Sequence, residues 1–125
     1  MHQLFAPIPV LRSFDEAKAR AFYVEFLGFA VDWEHRFEPG MPLYMQVSRD
    51  ACVLHLSEHA GDAAPGACLF LPMADVRAYQ ALLRAKHDPH ATPEVIDQPW
   101  GWAELHLTDP FGNKLRFAER RREDG

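Results

Sequence analysis

Gln98-Pro99-Trp100-Gly101-Trp102-Ala103-Glu104-Leu105-His106-Leu107-Thr108-Asp109-Pro110-Phe111-Gly112-Asn113-Lys114-Leu115-Arg116-Phe117 decides how the chain is read. Leu105 and Leu107 alternate with Glu104, His106 and Thr108, the period of a half-buried strand. Asp109-Pro110-Phe111-Gly112-Asn113 then breaks the run, because proline presets one turn dihedral and Gly or Asn tolerates positive φ. Beyond it Leu115 and Phe117 alternate with Lys114 and Arg116. The stretch predicts a β-hairpin.

Outward from this hairpin the same order of elements occurs twice. Residues 4–12 read as a strand. Pro7 and Pro9 lie within it and place it at a sheet edge, since proline cannot donate to a central ladder. Asp15 is a helix cap and Gly28 the C-terminal stop of a helix to about Leu27. Ala19, Phe22, Tyr23 and Phe26 form its buried stripe. Strands follow at about 29–37, 42–49 and 51–58. Asp62-Ala63-Ala64-Pro65-Gly66 reads as a linker. The second round has a strand at 67–72 and a helix from about Ala74 to Lys86 that buries Val76, Tyr79, Leu82 and Leu83. Its remaining strands lie at 92–97, 102–108 and 114–119. Val53-Leu54-His55-Leu56-Ser57-Glu58 parallels Lys114-Leu115-Arg116-Phe117-Ala118-Glu119. A repeat of this length is too long for a solenoid. It suits two βαβββ modules, about 1–60 and 66–120, paired in one domain over 1–125 with a curved mixed sheet around a shared cavity, an α+β fold.

A chain of 125 residues is long enough for one domain with a real core. A net charge of −5 argues against a nucleic-acid surface, which needs a basic stripe. Arg120-Arg121-Arg122 is flanked by Glu119, Glu123 and Asp124 and reads as a solvated tail. No apolar run is long enough to span a membrane. The first residues lack the charged start and apolar centre of a signal peptide, so a cytoplasmic location is the expectation. Cys52 and Cys68 have no metal-type spacing and read as buried, reduced thiols.

Phe22-Tyr23 followed by Phe26-Leu27-Gly28-Phe29 is similar to the F-Y-x-x-x-L-G-F signature of the glyoxalase/bleomycin-resistance/dioxygenase (vicinal-oxygen-chelate) superfamily. The Asp109–Asn113 turn resembles that superfamily's D-P-x-G-N turn. Ile8-Pro9-Val10-Leu11 and Gln98-Pro99-Trp100-Gly101 resemble the bleomycin-resistance branch most. The resemblance implies metal ligands, in the metalloenzymes, on the first, fourth, fifth and eighth strands. Here those positions fall at about Ile8, His55, Cys68 and Arg116. A guanidinium offers donors only, and Ile8 offers nothing. No metal and no cofactor are therefore expected. A His55, His106 and Glu104 set would offer zinc- or iron-type donors; its simpler reading is the wall of a polar pocket. No nucleophile elbow, phosphate-binding glycine loop or H-E-x-x-H helix is present.

Strand parity assigns Tyr44, Gln46, Ser48, Val53, His55 and Ser57, with Glu104, His106, Thr108, Lys114 and Arg116, to the cavity. Leu54, Leu56, Leu105, Leu107, Leu115 and Phe117 go to the helix side. A bulge would invert part of this division. Trp100 and Trp102 are candidates to stack on a flat or cationic ligand, with Phe37, Phe70 and Phe111 as companions. Trp33 reads rather as core or interface. Glu58 and Asp62 either attract a cation at the rim or belong to a solvated linker. His2, His35, His59, His87 and His90 read as exposed.

The ligand-binding set is thus Tyr44, Gln46, His55, Ser57, Trp100, Trp102, Glu104, His106 and Arg116, with no catalytic residue. The resemblance implies a metal-independent binding protein that sequesters a bulky cationic aromatic molecule, such as a bleomycin-type glycopeptide, in the groove of a homodimer. The alternative is a glyoxalase- or dioxygenase-like enzyme acting on vicinal oxygens of a small substrate, or a metal-free variant with a histidine as acid/base. A binder of some small metabolite is a third reading.

Overall fold

A computed structural model describes residues 2–86 and 93–122. The chain divides into two compact units, Met1–Pro65 and Gly66–Gly125. The division falls at the end of the segment read as a linker.

In the first unit β1 (Val10–Arg12), β2 (Ala30–His35), β3 (Tyr44–Arg49) and β4 (Cys52–Ser57) form a mixed sheet of order β1-β4-β3-β2. β1 runs parallel to β4 at the edge, with Val10 opposite His55, and the other pairs are antiparallel. The first strand is three residues long, not nine. Pro7 and Pro9 have no N–H to give, so the ladder stops there, although the Pro9 carbonyl still accepts from the His55 amide at 2.9 Å. Leu4 and Phe5 before it are exposed.

Asp15 caps the first helix as expected, its carboxylate accepting from the Lys18 amide at 2.9 Å. After α1 (Glu16–Ala19) the winding widens into a π-helix over Arg20–Phe26. Ala19, Phe22, Tyr23, Phe26 and Leu27 are all buried, as are Leu11, Met45, Val47, Leu54 and Leu56 of the sheet. Gly28, at φ +88°, ends the helix.

The second unit repeats this plan. β5 (Cys68–Pro72), β6 (Ile96–Asp97), β7 (Trp102–Thr108) and β8 (Lys114–Arg120) order as β5-β8-β7-β6, with β5 parallel to β8. Hydrogen bonding thus gives two four-stranded mixed sheets, one for each βαβββ module. α2 (Val76–Ala85) buries Val76, Tyr79, Gln80 and Leu83, the i, i+3, i+4, i+7 stripe. Leu82 is 50% exposed, against expectation. It lies off that stripe, and Gln80 occupies the inward position by donating to the Pro93 carbonyl at 2.7 Å. Asp75 does not cap this helix; Glu119 on β8 accepts from the Val76 amide instead, at 3.1 Å.

The Asp109–Asn113 turn is a buried hydrogen-bonded knot. One Asp109 oxygen accepts from the Phe111 and Asn113 amides, each at 2.8 Å, and the other accepts from Asn113 Nδ2 at 2.8 Å. Gly112 takes the positive φ, +87°. Asn113 is there for its amide, whose oxygen accepts from the Ala67 N–H at 3.3 Å and ties the turn to the start of β5. The β7–β8 register, Leu105 opposite Phe117 and His106 opposite Arg116, puts the leucines and Phe117 in the core as parity required.

Candidate functional site

Two polar sheet faces carry the candidate residues, one in each unit. In the first, β3 and β4 place Gln46 opposite His55 and Tyr44 opposite Ser57. β2 has a bulge between Val31 and Trp33, so Trp33 pairs with Gln46. Without the bulge Trp33 would face the core beside Met45. With it, Trp33 joins the polar face at 43% exposure, contrary to the core reading. Its ring stacks on Tyr44 at 5.9 Å and 8°, and meets His55 edge-on at 5.3 Å.

The extra residue of the bulge, Asp32, anchors a hydrogen-bonded chain that the sequence did not signal. Gln46 Nε2 donates to one Asp32 oxygen at 2.9 Å and the Ser48 hydroxyl donates to the other at 3.0 Å. Gln46 Oε1 must then accept, and it lies 2.9 Å from His55 Nε2. A neutral His55 consequently carries its proton on Nε2. Its Nδ1 accepts from the Tyr44 hydroxyl at 2.6 Å. The hydrogen bonds from Gln46, then Ser48, hold the Asp32 carboxyl below its ordinary range. Burial, with the charge of Asp62, pushes the Tyr44 phenol up. With the Tyr44, His55 and Ser48 protons committed along the chain, this face presents phenol and carboxylate lone pairs beside an indole ring.

Ser57 is fully buried. Its hydroxyl donates to Asp62 at 2.6 Å and accepts from the His59 amide at 3.1 Å, holding the bend after β4. Glu58 accepts from the Leu43 amide at 2.9 Å. Both acids at this bend thus take part in holding it, and Asp62 remains exposed.

In the second unit, Glu104 is 1% exposed, which parity alone did not reveal. Trp100 Nε1 donates to one of its oxygens at 2.8 Å and His106 Nε2 to the other at 2.7 Å. Burial pushes this carboxyl up; the bonds from His106 and Trp100, with the charges of His106 and Arg116, outweigh it and hold it below the ordinary value. Glu104 orients its neighbours, fixing His106 through Nε2. Trp102 meets Phe70 edge-on at 5.0 Å, and the Arg120 guanidinium lies 5.7 Å from the centre of its ring. The basic run is thus partly docked: Arg121 donates to the Gln98 carbonyl at 2.7 Å, pinning the turn that carries Trp100. A solvated-tail reading missed this because only the register shows β8 reaching Arg120.

Register also sharpens the metal question. The β1 residue opposite His55 is Val10, and the β5 residue opposite Arg116 is Phe70. Neither coordinates, and both His55 nitrogens are in hydrogen bonds. These positions do not fit a metal. Among the described residues no three His, Cys, Asp or Glu side chains group as a metal site. Cys68 is exposed and Cys52 half-buried, so the buried-thiol reading fails for Cys68. β5 is an edge strand, and Cys68 shares the outward side of the ladder with Lys114. His35 is exposed and His59 half-buried, while His87 and His90 lie outside the described residues.

A family model described as "Glyoxalase superfamily protein" matches residues 3–124. The chain belongs to the glyoxalase superfamily. Among solved structures, this superfamily member is similar to the bleomycin-binding protein of bleomycin-producing Streptomyces verticillus, complexed with copper(II)-bleomycin. The identity is 25%, with 98% of this chain and 100% of that one covered and a TM-score of 0.70. A bleomycin resistance determinant encoded on the transposon Tn5 shares its fold at 22% identity, 95% and 100% coverage and a TM-score of 0.72. An antibiotic binding protein from Streptomyces sp. CB03234 does so at 23% identity, 95% and 99% coverage and a TM-score of 0.70. No curated protein matches the chain. Among the described residues no helix is long and apolar enough to cross a membrane.

Proposed function

We propose that this superfamily member is a metal-independent binding protein of the bleomycin-resistance type, sequestering a bulky cationic aromatic ligand in a homodimer groove. The observation that carries the reading is the face of the first unit. Its hydrogen-bonded chain leaves acceptors outward, next to the half-exposed Trp33 ring. Such a surface favours a flat cation or an N–H-rich ring system through cation–π attraction and hydrogen bonds to fixed acceptors. Likeness in fold to bleomycin-binding proteins supports the same direction. Tyr44, Gln46 and His55, joined by Trp33, contact the ligand from the first unit. The second unit's own polar face offers Trp100, Trp102 and His106, with Glu104 holding Trp100 and His106 in place.

The test is a titration of purified protein with metal-free bleomycin, followed by tryptophan fluorescence and light scattering. Saturable quenching near one ligand per protomer of a dimer is expected. Trp33→Ala should abolish most of it, and Tyr44→Phe should weaken binding by about tenfold, the worth of one good hydrogen bond to a charged group. An unchanged signal at saturating ligand would sink the bleomycin reading.

A further inference from the structure

The polar face of the second unit has the opposite character to that of the first. Its central row runs Phe70, Arg116, His106 across β5, β8 and β7. The next row holds Lys114 opposite Thr108, and Arg120 stands opposite Trp102. Three cations therefore share the face with one carboxylate, Glu104, whose oxygens are occupied by Trp100 and His106.

Arg116 is the outlier among its neighbours. Arg77 pairs with Asp97, Arg84 with Glu94, Arg120 lies over Trp102 and Arg121 binds the Gln98 carbonyl. Arg116 is half-buried, yet among the described residues its guanidinium makes no hydrogen bond or close ion pair. It is felt only as a charge at Glu104. A planar fork of five donors, partly desolvated and unspent, matches a planar carboxylate in bidentate geometry. Phe70, 44% exposed and edge-on to Trp102, offers an aromatic wall beside that fork.

We infer that the Arg116 row is a seat for an aromatic carboxylate: Arg116 takes the carboxylate, and Phe70 and Trp102 take the ring. This goes beyond the cationic-ligand reading and does not depend on it. The seat lies within the second unit, and its charge preference is the reverse.

Calorimetric titration of the full chain with benzoate, and in parallel with benzylammonium, tests the inference. Saturable benzoate binding is expected, weakened at least about tenfold by Arg116→Gln and less by Arg116→Lys, which keeps the charge and loses the fork. Arg77→Gln removes the same charge from α2 and should leave benzoate affinity intact. Benzylammonium binding should be insensitive to Arg116→Gln. Absence of saturable benzoate binding would overturn the seat, as would equal losses for Arg77→Gln and Arg116→Gln. A loss of benzylammonium binding equal to that of benzoate in Arg116→Gln would overturn it too. Failure of bleomycin to bind leaves these outcomes unaffected.

Discussion

The two units share strand order, a parallel edge pair and an inward helix, yet equivalent positions on their polar faces carry different chemistry. Tyr44, Gln46 and His55 in the first correspond in register to Glu104, His106 and Arg116 in the second. The first set is a hydrogen-bonded relay ending on the exposed Asp32. The second is a buried carboxylate that orients an imidazole beside an unspent guanidinium. Sheet topology fixes where side chains project; it does not fix whether they offer protons or accept them. One framework thus carries an acceptor face and a donor face, and the difference can be attacked residue by residue.

The largest effect is expected at the turns. Asp109 accepts from the Phe111 and Asn113 amides and from Asn113 Nδ2 in a buried site. Asp109→Ala leaves buried amide N–H groups unpaired and should cost roughly 3 kcal/mol or more. Urea unfolding measures it. A loss under about 1 kcal/mol would mean that water replaces the carboxylate, and that the turn is not the unit's anchor.

Next comes the contrast between Glu104 and Tyr44. Glu104→Ala removes two hydrogen bonds to a buried carboxylate and should destabilise by about 2–3 kcal/mol. Tyr44→Phe removes one bond from a half-exposed relay and should cost about 1 kcal/mol. The reverse order would break the distinction between a buried carboxylate and a solvated relay. Acid titration separates them further. The Glu104 carboxyl titrates below its ordinary value of 4.5, so its contribution is complete above that value. The contribution is lost as pH falls through the lower folded value. Glu104→Gln should therefore flatten the acid limb of the stability curve below the carboxyl's ordinary value of 4.5, while stability near neutrality falls. An acid limb identical to that of the parent protein would place the titrating group elsewhere.

Much of this was legible in the chain. Period-two alternation put Leu105, Leu107, Leu115 and Phe117 inside, because β7 and β8 pair without a shift. The Asp15 cap, the Gly28 stop and the Phe22–Phe26 stripe were readable for the same reason: each is a local rule with a local cause. What escaped depends on partners distant in sequence. The bulge at Asp32 moves Trp33 to the other face, and nothing in Val31-Asp32-Trp33-Glu34 announces it. Ser57 is polar and on the expected parity, yet the bend after β4 consumes it. Glu104 is an acid on a polar face, and it is buried because Trp100 and His106 reach it. The proline-bearing start was read as too long a strand, since hydropathy extends beyond where the ladder can.

The smallest effect sharpens the comparison at its other end. Asp50 sits in the β3–β4 turn, the first unit's counterpart of the Asp109 turn, at φ +53°. It is exposed, and Arg49 and Cys52 close the hairpin around a two-residue loop. Here an aspartate does a backbone job: it tolerates a left-handed conformation that most side chains resist. Glycine adopts that conformation with less strain but orders at a larger entropic cost, so the two terms oppose. Asp50→Gly should accordingly shift stability by no more than about 0.5 kcal/mol in either direction. Two aspartates at equivalent turns would then differ severalfold in what their removal costs. The cause would be burial and bonding, since both lie between the same pair of strands in the repeat. A large loss at Asp50 would show that the first unit's hairpin also depends on its turn side chain, and the contrast between the two units would close at this point.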